Sequence, residues 1–64
     1  MTTPTLTPAI IDLIMDRYDD AYGGGYYGHD SVPGFWDVAV DYLGPNATLD
    51  DIINTVVDDL VANT

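Results

Sequence analysis

Cysteine, lysine and glutamate are all missing from the chain. Without cysteine there is no disulfide, no thiolate nucleophile and no zinc site of the cysteine type. Without lysine, Arg17 is the single strong cation. Direct binding to nucleic acid or to an anionic membrane surface therefore has almost no charge to work with. No apolar run approaches the roughly 18 residues of a spanning helix. Met1 to Pro4 has neither the basic region nor the apolar core of a secretory signal. What is present is acid: eleven aspartates face one arginine, for a net charge of −10 in 64 residues. Hydrophobic residues still make up 47%, an ordinary globular fraction that argues against disorder. A domain this short buries only about 60% of its unfolded surface. Ten like charges add self-repulsion. So costly a charge on so small a domain calls for a reason, and there are two: the field serves a basic partner, or a very salty host interior screens it.

The pattern predicts an all-α protein, a small bundle of three short helices with a Gly/Tyr-rich loop after the first. Residues 1–7 read as a flexible lead-in and 8–64 as a single helical domain. Thr7 followed by Pro8 is a helix start, a hydroxyl cap and then proline at the first position. Ile10, Ile11, Ile14, Met15, Tyr18, Ala21 and Tyr22 then fall at helical spacing. Gly23-Gly24-Gly25 ends that helix. A second helix is expected from about Ser31 or Pro33 to Leu43, stopped by Gly44-Pro45. The third begins at Thr48-Leu49-Asp50-Asp51, a capping box with Asp in place of Glu. Its stripe of Leu49, Ile52, Ile53, Val56, Val57, Leu60 and Val61 is wide, and a homodimer through residues 49–61 would cover any surplus.

The aspartates form rows at helical spacing. Residues three or four apart have Cβ atoms about 5–6 Å apart, so their carboxylates can spread toward the spacing of successive phosphates on a nucleic-acid strand. Asp12, Asp16, Asp19 and Asp20 make one row, Asp37 and Asp41 a second, Asp51 and Asp58 a third. Asp58 and Asp59 lie near the C-terminal end of the third helix, the wrong end for its dipole. A purely structural design would put lysine there. These acids, Asp51 apart, are the candidate contacts to lysine and arginine of a partner, with Tyr26 and Tyr27 as aromatic anchors. Phe35 and Trp36 are expected in the core. Arg17 is expected in an internal salt bridge with its neighbouring acids.

Catalysis and metal binding find little footing. His29, Asp30 and Ser31 can be drawn as a triad, but no nucleophile elbow or strand framework accompanies them. One histidine makes no zinc site, and no EF-hand spacing is present. The expectation is a protein that is not an enzyme and needs no cofactor or metal.

The stretch Tyr18-Asp19-Asp20-Ala21-Tyr22-Gly23-Gly24-Gly25-Tyr26-Tyr27-Gly28-His29-Asp30-Ser31, followed by Phe35-Trp36-Asp37-Val38-Ala39, resembles the ArdA-type antirestriction proteins. The matching positions are Tyr18, Ala21, Tyr22, Gly23 or Gly25, Tyr26 or Tyr27, Ser31, Trp36 and Ala39, within residues 15–43. The chain carries extra loop residues around Gly24 to Asp30 and lacks the later segment rich in acids and tryptophan. The resemblance implies an acidic DNA mimic, made by a phage or mobile element and acting in the cytoplasm of a bacterial host. Its partner would be a basic DNA-binding protein: a restriction enzyme or, for a related phage inhibitor, a CRISPR-Cas subunit. The competing reading is a small acidic interaction module, dimeric or salt-adapted, with no inhibitory role.

Overall fold

The computed structural model describes residues 5–23 and 27–63. They form three α-helices in chain order: α1 (Pro8–Tyr22), α2 (Val32–Leu43) and α3 (Leu49–Ala62). A single 3-10 turn (His29–Ser31) leads into α2. There is no strand among the described residues, and the all-α bundle expected from the periodicity is what forms.

Each helix begins and ends where local chemistry dictates. Thr7 is extended, and its hydroxyl accepts the Ile10 N–H at 3.3 Å. Pro8 occupies the first turn, where its missing N–H costs no bond. Gly23 closes α1 at φ +87°, a left-handed conformation that favours glycine, and donates to the Asp19 carbonyl. Gly44 closes α2 with the same positive φ of 87°. The Thr48 hydroxyl accepts the Asp51 N–H at 3.2 Å at the head of α3. At its tail, the Asn63 side chain donates to the Asp59 carbonyl at 2.7 Å.

α3 is the central element. It packs against both α1 and α2, while α1 and α2 are linked chiefly by the 3-10 turn. The core follows from that layout. Ile14 and Tyr18 come from α1; Val32, Trp36 and Ala39 from α2; Ile52, Ile53, Val56, Val57 and Leu60 from α3. The wide stripe of α3 is thus used inside the molecule, because it faces two helices at once. Leu49 is 39% exposed and Val61 half-buried at its margins. Of that stripe, Leu49 and Val61 are the residues that keep appreciable surface.

Tyr18 is wholly buried, and its hydroxyl accepts the Tyr27 N–H at 3.3 Å. Its ring stacks on Tyr22, with centroids 5.6 Å apart. A buried phenol with a polar partner seats the loop on the core.

Candidate functional site

No aspartate is buried among the described residues: ten of the eleven are exposed and Asp59 is half-buried. A helix advances about 100° per residue. Asp12, Asp16 and Asp19 therefore lie on the side of α1 opposite Ile14 and Tyr18, with Asp20 beside them. All four are exposed. Asp37 and Asp41 sit one turn apart on α2, also exposed. The rows expected from spacing alone exist as solvent-facing rows, but on separate helices.

One recess joins acids from different elements. Between α2 and α3 lies an open groove. One part, of about 540 Å³, is lined by Asp30, Ser31, Gly34, Phe35, Val38, Asp59 and Asn63. The adjoining part, of about 430 Å³, is lined by Val38, Tyr42, Thr55, Asp58 and Asp59. Asp58 and Asp59 of the expected set are brought together here with Asp30. The acids of α1 and the pair Asp37 and Asp41 take no part in it. Its apolar lining stands open to solvent: Val38 is 60% exposed and Tyr42 81%. Sequence reasoning passed over Val38 and Tyr42, and the available signal was their spacing. They lie four apart on α2 and off the stripe of Trp36, Ala39, Val40 and Leu43.

The expected aromatic anchors stand differently. Tyr26 lies outside the described residues. Tyr27 is half-buried; its hydroxyl donates to the Asn63 carbonyl at 2.9 Å, and its ring meets Phe35 edge-on at 5.3 Å. It ties the loop to the end of α3.

No protein-family model, curated protein or solved structure matches the chain.

Arg17 does not make the salt bridge expected of it. Its guanidinium donates to the Asn54 side-chain oxygen on α3 at 3.1 Å. Asp16 and Asp19, one and two residues away, do not face it on the helix, whereas Asp20, three away, does; the side chain nevertheless reaches across to α3. The ion pair among the described residues is His29 with Asp12, 3.3 Å apart and exposed on both sides. It is an ion pair only when His29 is protonated, and so exposed a pair adds little stability. No group of three or more histidines and acids is placed to hold a metal ion among the described residues. None of their helices is long and apolar enough to cross a membrane.

Proposed function

We propose that the chain is an acidic DNA mimic that occupies the basic DNA-binding surface of a bacterial defence enzyme, a restriction enzyme or a CRISPR-Cas complex. It acts without catalysis, cofactor or metal, in the cytoplasm of the host. The observation that carries this reading is the disposition of charge. Every described carboxylate reaches the surface, while the one arginine is engaged with Asn54. A surface of that kind speeds association with a basic groove and loses affinity as salt rises. The likeness of residues 15–43 to ArdA-type proteins supports the same class of target.

The test is capture of partners from host lysate by the tagged chain at low salt, followed by washes of rising salt and by duplex DNA. A basic nuclease or Cas subunit released by both is the expected result. A partner that ignores salt and DNA, or no specific partner, overturns the reading. With the partner in hand, Asp→Asn changes at Asp12, Asp16, Asp19 and Asp20 should weaken inhibition cumulatively. Each should cost about two- to fivefold, the effect of ~0.5–1 kcal/mol for an exposed charge pair. Circular dichroism should show the fold unchanged. Undiminished inhibition after all four changes sinks this assignment of the contact face.

A further inference from the structure

The α2–α3 groove has a feature that imitation of phosphates does not require. A row of carboxylates alone would compete for a basic surface, yet here the acids border exposed apolar side chains. Val38 and Tyr42 stand 60% and 81% exposed one turn apart. Asp30, Asp58 and Asp59 line the same groove, and no cation lines it among the described residues. Asp59 is half-buried, so its charge is screened less than those in open solvent.

We propose that this groove holds an arginine-bearing basic segment of the protein partner. The aliphatic stem of the arginine, with a neighbouring aliphatic side chain, lies on Phe35, Val38 and Tyr42. The guanidinium donates to Asp58 and Asp59, where a planar fork and a carboxylate match. The exposed Tyr42 ring offers its face to the cation. This deepens the reading given above and rests on it only for the partner being a basic protein.

Charge decides among occupants. A second copy of the chain brings another −10 and sets like charges against each other. Nucleic acid and anionic lipid are repelled for the same reason. A neutral apolar segment would cover Asp59 without pairing it, which costs free energy. A cationic segment with an aliphatic residue satisfies both the apolar and the acidic side chains.

Gly34 allows a clean test. It lines the groove, and a Cβ built on it meets nothing within 4 Å. Gly34→Arg therefore puts a cation and bulk into the groove without displacing the core. Ala9→Arg makes the same charge change on exposed α1. The probe is a blocked Arg-Leu-Arg-Arg-Leu-Arg peptide, titrated into the full chain with binding followed by amide NMR shifts. A second peptide replaces its leucines with serine.

The expected result is shifts concentrated at Val38, Tyr42, Asp58 and Asp59. The serine peptide should bind about tenfold more weakly, since the aliphatic contact beside the arginine stem is lost. Gly34→Arg should lose about tenfold and Ala9→Arg at most two- to threefold, the difference between a filled site and a weakened field. Equal loss in the two variants, equal binding of the two peptides, shifts centred on Asp12 to Asp20, or no binding at all would each overturn the proposal. Failure of DNA to displace the lysate partner would overturn mimicry and leave these outcomes untouched.

Discussion

At the scale of single residues, a missing methylene group decides how well α3 is capped. The Thr48 hydroxyl takes the Asp51 N–H at 3.2 Å. In a full capping box, the third residue also reaches back to the N–H of the cap. Asp51 is exposed and makes no such return bond, because aspartate is one methylene shorter than glutamate. The box expected from the sequence is thus half made. Asp51→Glu should supply the second bond and raise stability by about 0.5 kcal/mol, whereas Thr48→Ala should lower it by about 1 kcal/mol. Urea unfolding of both variants is the check. An unchanged midpoint for Asp51→Glu would mean that the Thr48 N–H is already well served by water.

Among the elements, α3 carries two demands that conflict. It supplies five of the ten buried core residues, Ile52, Ile53, Val56, Val57 and Leu60. It also presents Asp58 and Asp59 near its C-terminal end, where the helix dipole disfavours negative charge. None of the three α-helices has a basic residue in its last turn among the described residues. Asp58→Lys should therefore raise stability by about 0.5 kcal/mol. The same change should weaken binding of the basic peptide, since Asp58 lines the groove. Thermal unfolding and peptide titration of this one variant should move in opposite directions. If both fall, Asp58 is holding the fold, and its placement is not a concession to binding.

For the whole molecule the governing term is self-repulsion. A domain of 64 residues has only a few kcal/mol of stability to set against it. The screening length shrinks from about 30 Å at 0.01 M salt to about 8 Å at 0.15 M. The melting temperature, followed by circular dichroism, should therefore rise with sodium chloride and level off within a few tenths molar. The chain should already be folded in dilute buffer. Partner binding should fall over the same range. A chain that folds only at molar salt would instead mark the charge as an adaptation to a salty interior.

How much of this was legible in the sequence follows from the range of the forces involved. Helix ends are local: Thr7-Pro8, Gly23, Gly44 and Thr48 act on backbone groups a few residues away, so the spans of α1, α2 and α3 could be read directly. Apolar periodicity assigned Ile14, Trp36 and Leu60 to the core for the same reason, since it reports one face of one helix. The exposure of the acid rows followed from their falling opposite those faces. The pairing of elements was not local. That α3 sits between α1 and α2, using its whole stripe, depends on how three helices share one core. The bond from Arg17 to Asn54 spans 37 residues, and no spacing rule reaches that far. The groove is the same kind of fact. Val38 and Tyr42 are ordinary positions on α2, and Asp58 and Asp59 are ordinary acids on α3. Only the packing of the two helices makes them one apolar, anionic surface. The sequence by itself determined the helices and the charge, because both are set by neighbours along the chain. The tertiary structure alone decided which acids stand beside which apolar side chains, because that depends on contacts between distant segments.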